Sequence, residues 1–263
     1  MAIAIEASNS AENDGTNSTS VNITVPSGLS NSVALIFVSM NNEDNDTITG
    51  VTFGGLSVTL ISTVTQSNDS ITAVYYQLNP ASGSRTATAT FDGNLANGAR
   101  VGVVILSGVD QTTVHRTPGT DTEPSSATTL TNTVASAADD YVFSCAAVDD
   151  GSINSVGAGQ TVVWNVASAP NVSQDQAVSY KVATGTSTTM TNAISSSQGA
   201  TQVTFAIIPA IVSLPDRNVS INDAAAVAEN VKTAVDENPA TNDQVAVDES
   251  ANAAVDLNPN VYC

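Results

Sequence analysis

Val101–Gln111 reads VGVVILSGVDQ, and its interpretation decides the fold. Val101–Ser107 carries no charge and a single glycine, which is the composition of a strand covered on both faces. Ser107-Gly108 then turns the chain out of the core. A both-faces-buried strand needs a sheet around it and layers above and below.

Short strand-like runs recur on either side, separated by turn residues. Val21–Val25 alternates strictly and closes at Pro26-Ser27-Gly28; Val33–Met40 (VALIFVSM) is a second fully apolar run. Ile48–Phe53, Leu56–Thr65, Ile71–Leu78 and Thr86–Phe91 follow. Beyond a long loop, Thr112–Ser126, come Thr128–Val134, Tyr141–Val148, Thr161–Val166, Gln176–Val182, Thr188–Ile194 and Gln202–Ile208. No segment before Pro209 has a 3.6-residue period. The fold class is therefore all-β, an antiparallel β-sandwich or jelly roll spanning residues 1–210.

From 211 to 263 the character changes. Asn222-Asp223, Ala226-Val227, Glu229, Ala234-Val235-Asp236 and Asn238-Pro239 return as Asn242-Asp243, Ala246-Val247, Glu249, Ala254-Val255-Asp256 and Asn258-Pro259, a 20-residue repeat. A helical apolar face present in the first copy is broken by Gln244 and Asp248 in the second. A period of two survives in both, so the tail is read as extended. Two such repeats bury no core alone, so Asp223, Val227, Glu229, Val235, Asp243, Val247, Glu249 and Val255 are assigned to contacts between copies.

Composition narrows the function classes. Aromatics are 4% of the 263 residues, so the core must be aliphatic. Six Lys and Arg against 25 Asp and Glu give a net charge of −19, a field that repels phosphate backbones and anionic bilayers. Neither nucleic-acid binding nor membrane insertion is expected. MAIAIEASNS has no basic n-region and no apolar h-region, so it is not read as a secretory signal. Cys145 lies in an apolar run and reads as a small core residue, and Cys263 ends the sequence; two cysteines make no disulfide framework.

Five landmarks occur in order: a Ser/Thr/Asn-rich start leading to a buried strand, Ile48–Gly55 (ITGVTFGG), Val74–Pro80 (VYYQLNP), Leu106–Gln111 (LSGVDQ) and Val156–Thr161 (VGAGQT). Together they resemble the sandwich domains of phage virion proteins and environmental surface proteins. The resemblance implies a lectin-like, concanavalin-like jelly roll over about residues 1–210. The tail is similar to short acidic repeats that follow such domains.

Candidate chemistry is sparse. His115 is the sole histidine and no nucleophile motif accompanies it, and one His with two separated Cys cannot fill a usual zinc site. Paired carboxylates for glycoside hydrolysis would want stacking aromatics, and Trp164 is the one tryptophan. Calcium is the cofactor that the oxygen-rich loops suit, with Asp44 and Asp46 in the loop Asn41–Asp46, and Asp149 and Asp150 in the acidic loop before Gly151. The expectation is a non-enzymatic structural or attachment protein at a virion surface or outside the cell. It would be a capsid decoration or fibre subunit, working as a homo-oligomer or with other virion proteins. An extracellular filament or adhesin subunit is the alternative; a carbohydrate-binding module using loops around Trp164, Tyr75 or the Asn41–Asp46 turn is another.

Overall fold

The structure is a computed structural model that describes residues 2–13, 16–42, 45–66, 69–95, 98–124, 126–167, 173–196 and 199–211. The chain divides into two units, Met1–Val212 and Ser213–Cys263. The second unit, and with it every tail residue assigned to assembly, lies outside the described residues, as do Asp44 and Cys263.

Among the described residues every regular element is a strand. The first nine are β1 (Ala4–Asn13), β2 (Ser18–Val25), β3 (Val33–Asn41), β4 (Ile48–Phe53), β5 (Leu56–Ser57), β6 (Thr59–Gln66), β7 (Ser70–Leu78), β8 (Gly83–Phe91) and β9 (Ala99–Ser107). They are followed by β10 (Gly119–Glu123), β11 (Thr129–Ala135), β12 (Tyr141–Asp149), β13 (Gly151–Val156), β14 (Thr161–Val166), β15 (Gln174–Val182), β16 (Ser187–Ser196) and β17 (Ala200–Ile207). All pairings between them are antiparallel. Three strands do not stand out in the sequence: β1, β10 and β13. Each lies at the edge of its sheet and is polar and partly exposed, so no apolar run marks it.

The strands form four sheets, and their order is written twice. The first inner sheet runs β1-β9-β3-β7-β6 and the first outer sheet β2-β8-β4-β5. The second inner sheet runs β10-β17-β12-β15-β14 and the second outer sheet β11-β16-β13. Replacing each strand of the first set by its counterpart in the second reproduces the topology, with only the two-residue β5 lacking a counterpart. Each set is a jelly roll. Irregularities repeat as well. The register slips between Leu60 and Ser62 opposite Tyr75 and Val74, and again between Val162 and Trp164 opposite Ser179 and Val178. A second slip falls between Ile48 and Gly50 and recurs between Ile153 and Ser155. A bulge adds one residue and re-aims its strand, so repetition at matching sites marks two copies of one design.

The sheets stack as outer, inner, inner, outer. Val21, Ile36, Val38, Phe53, Ala87, Phe91, Val101 and Val103 fill the first roll. Leu130, Ala146, Val148, Ile153 and Ile194, with Val134, Val142 and Met190 further along, fill the second. Between the rolls lies a third core, built from Val33, Leu35, Phe37, Val74, Val104 and Leu106 on one side and Phe143, Cys145, Val178, Val203, Phe205 and Ile207 on the other. Phe37 sits 6.2 Å from both Phe143 and Phe205, centroid to centroid. This explains Val101–Ser107: alternate side chains of β9 serve the first core and the third. The turn that follows carries the chain into the second roll, with the Val109 N–H bonded to the Asn31 carbonyl and the Asp110 N–H to the Ile208 carbonyl.

The inner sheets pack face to face. β6 lies across β10, β7 across β17 and β12, and β3 across β12 and β15. The match at the rim is complementary in size. A Cβ at Gly102 would collide with the Trp164 indole, which packs edge-on against Phe37 at 5.6 Å. Through the cross-strand register, Gly102 is equivalent to Val203, and Trp164 to Ser62. A large residue in one copy thus answers a small one at the matching site of the other. Gly102→Val is expected to cost about 1–3 kcal/mol of unfolding free energy through overpacking, and Trp164→Leu in the same chain to recover part of it; denaturant titration of the single and double variants checks this.

Candidate functional site

The core between the rolls is apolar at one end and polar at the other. Along β12 the side chains facing the first roll pass from Phe143 and Cys145 to Asp149, and along β15 from Tyr180 and Val178 to Gln176 and Gln174, with Asp149 and Gln174 cross-strand partners. Across from them stand Ser39, Asn41, Ser70, Thr72 and Arg100 of the first inner sheet, all buried.

Hydrogen bonds stitch this end together. The Trp164 Nε1–H donates to Gln176 Oε1 at 3.0 Å, and Gln176 Nε2 donates to Ser39 Oγ at 2.9 Å. Thr201 Oγ1 lies 2.8 Å from both Ser70 Oγ and Thr72 Oγ1. Asn41 Nδ2 reaches Ser173 Oγ at 3.4 Å, and that hydroxyl donates to Asp149 Oδ1 at 2.8 Å. Arg100, 3% exposed, pairs with Glu12 and donates to the carbonyls of Gln174 at 2.5 Å and Ala167 at 2.6 Å. Burial pulls its guanidinium below the ordinary value, while the Glu12 and Asp175 carboxylates hold it up. Gln174 is fully buried, and neither its Oε1 nor its Nε2 has a hydrogen-bond partner.

The candidate calcium residues divide here. Asn41 and Asp149, from the two stretches singled out in the sequence, converge on Ser173. Asp46 lies instead with its carboxylate against Gly93. Asp150 is exposed in the left-handed turn between β12 and β13, where its N–H bonds to the Ser173 carbonyl. Asp149 is not a loop residue but the buried last residue of β12. Among the described residues no three of His, Cys, Asp and Glu cluster as a metal site would require. Gln174, Gln176 and Arg100 were not singled out from the sequence. The signal for them was Gln174-Asp175-Gln176 at the head of an apolar strand, and Arg100 opening the VGVVILS run.

The other candidates make local contacts. The His115 Nδ1–H donates to the Arg116 carbonyl at 2.8 Å, and the ring lies edge-on to Tyr76. Asp110 Oδ1 accepts from the Thr112 and Thr113 N–H groups at 2.8 and 2.9 Å, which holds its carboxyl below the usual range and fixes the link between the rolls. Ser107 Oγ donates to Glu6, away from any histidine partner in the described hydrogen bonds. Trp164 and Tyr75 are half-buried and pack against the cores. At the apolar end, a cavity of about 490 Å³ is lined by Ile3, Asp139, Tyr141, Val182 and Pro209–Ile211.

Searches of this chain against family models, curated proteins and solved structures found no match.

Two predictions follow from this end-to-end polarity. Arg100→Met removes the donor from two carbonyls and from Glu12, and is expected to cost about 3 kcal/mol in denaturant unfolding. Cys145 is fully buried and free, and burial pushes its thiol far above the ordinary value. In a Cys263→Ser chain, a chromogenic disulfide reagent should therefore leave Cys145 unmodified until denaturant is added.

Proposed function

We propose that the chain is a non-enzymatic structural protein that works by self-assembly at a virion surface or outside the cell, as a capsid decoration or fibre subunit. The observation that carries this reading is the fusion of two jelly rolls through their inner sheets into one four-layer body. Such a body takes both inner sheets out of water and spends Arg100, Gln176, Trp164 and Asp149 on joining layers. It suits a building block that must hold its shape, and jelly rolls serve that role widely, which is support by fold analogy.

Charge supports the same reading. Of the cations Arg85, Arg100, Arg116 and Lys181 in the first unit, Arg100 is buried and Arg116 is paired with the buried Asp140 at 2.5 Å. The exterior is left acidic, which keeps copies dispersed until a specific contact joins them. The edge strands β2, β11 and β13 of the outer sheets, and the acidic repeat with Asp223, Val227, Glu229, Val235, Asp243, Val247, Glu249 and Val255, are assigned to that contact. The partners are further copies of this chain or neighbouring subunits of the same particle or filament.

Electron microscopy of the purified full chain is expected to show particles or filaments, and removal of Leu214–Cys263 to leave a folded body that no longer assembles. Monodisperse monomers at every concentration would refute the assembly role; assembly that persists after truncation would remove the tail from it.

A further inference from the structure

We infer that molecules of this chain join edge to edge through the open edges of the two inner sheets, β6 on one flank and β14 on the other, each edge taking a second copy of the chain. The inference rests on the assembly reading above and names the contact. The first observation is backbone without a neighbour. Each inner sheet has two edges, and the fold treats them differently. β1 and β10 run alongside β2 and β11 of the outer sheets, and they carry Glu6, Glu12, Asp121 and Glu123. Among the described residues β6 pairs only with β7, and β14 only with β15. Every second residue of such a strand turns its N–H and C=O away from the sheet, a template for one more strand.

The second observation is that these two edges lack the usual safeguards. β6 reads TLISTVTQ and β14 reads TVVWNV, with no charge and no proline in either. Leu60 and Val162, 46% and 48% exposed, stand at equivalent sites opposite Tyr75 and Ser179. A bulge follows each of them, and beyond it Ser62–Gln66 and Trp164–Val166 run in regular register. An edge kept solitary is normally blunted by a lysine, an inward-pointing charge or a proline.

Charge selects the partner. Thr47–Asn68, which includes β4, β5 and β6, and Gly151–Gln174, which includes β13 and β14, contain no Asp, Glu, Lys or Arg. In a chain of net charge −19 these are flanks from which carboxylates are withheld. A basic partner would be drawn to carboxylates, whereas an acidic one approaches closest where there are none. This chain is itself such an acidic partner. Geometry sets what the contact builds. β6 ends one side of the first inner sheet, while Trp164 of β14 lies against Gly102 of β9, next to the other side. The two open edges therefore lie on opposite flanks, and copies joined through both extend in a row instead of stopping at a pair.

The test uses the full chain, followed by sedimentation velocity and by hydrogen–deuterium exchange over a concentration series. Assembly is expected to slow exchange at the outward amides of β6 and β14 by about tenfold or more relative to the dilute chain. Thr63 and Thr65 are exposed on β6, so lysines there leave the fold in place while closing the edge. Thr63→Lys with Thr65→Lys is expected to limit assemblies to pairs at most, and Val162→Lys to do so from the other flank. Thr63→Ser with Thr65→Ser should assemble as the parent does. Full-length assemblies from both lysine variants would overturn the inference and leave the assembly reading standing. A parent that stays monomeric at every concentration overturns both. Protection of the outward β6 amides that is independent of concentration shows that edge covered within one molecule, and overturns the inference alone.

Discussion

A sheet whose two faces are both apolar has to be covered twice, and this constraint organises the molecule. β3, β9, β12 and β17 are buried along almost their whole length, so neither inner sheet can end a structure. Each roll covers one face of its own inner sheet with its outer sheet. The other face is covered only by the partner roll. The Phe37, Phe143 and Phe205 contact is therefore what makes two domains' worth of strands into one body. An isolated roll would expose an inner face as apolar as a core.

The same interface changes character along its length, and the change has a physical logic. The apolar end supplies adhesion without direction. The polar end supplies direction: Gln176 to Ser39, Thr201 to Ser70 and Thr72, and Arg100 to Gln174 all require one register between the sheets. Equivalent polar positions of the two rolls fall at this same end. Asn41 stands where Asp149 stands in the second copy, and Ser70 where Gln174 stands. The pairs are unlike, Asn41 with Ser70 in the first roll and Asp149 with Gln174 in the second, and the Gln174 amide is left without a hydrogen-bond partner.

Much of the fold was legible because strands buried on both faces leave long apolar runs. Val33–Met40, Val101–Ser107, Tyr141–Val148 and Gln202–Ile208 were all read as strands, and all are inner-sheet strands. Edge strands were not legible where solvent leaves them polar, as in β1 and β10. The doubling was hidden for a different reason. Any of Val, Ile, Ala or Phe serves a core position, so the copies share little beyond Ala73-Val74 with Tyr76 and Ala177-Val178 with Tyr180. The bulges that identify the copies are matters of register and leave no residue signature. At the polar end, the sequence pointed to Asn41 and Asp149 but took Asp149 for a loop residue, since nothing local says that a strand ends with its carboxylate inside. Gln174, which faces that carboxylate, became visible only when the strands were paired.

Calorimetric unfolding of the full chain tests the central claim most directly. If the two rolls are one body sharing a core, residues 1–211 should melt in a single transition whose van't Hoff and calorimetric enthalpies agree, and Phe37→Ala should lower that one transition as a whole. Two separable transitions, with Phe37→Ala shifting only the one belonging to the first roll, would contradict it.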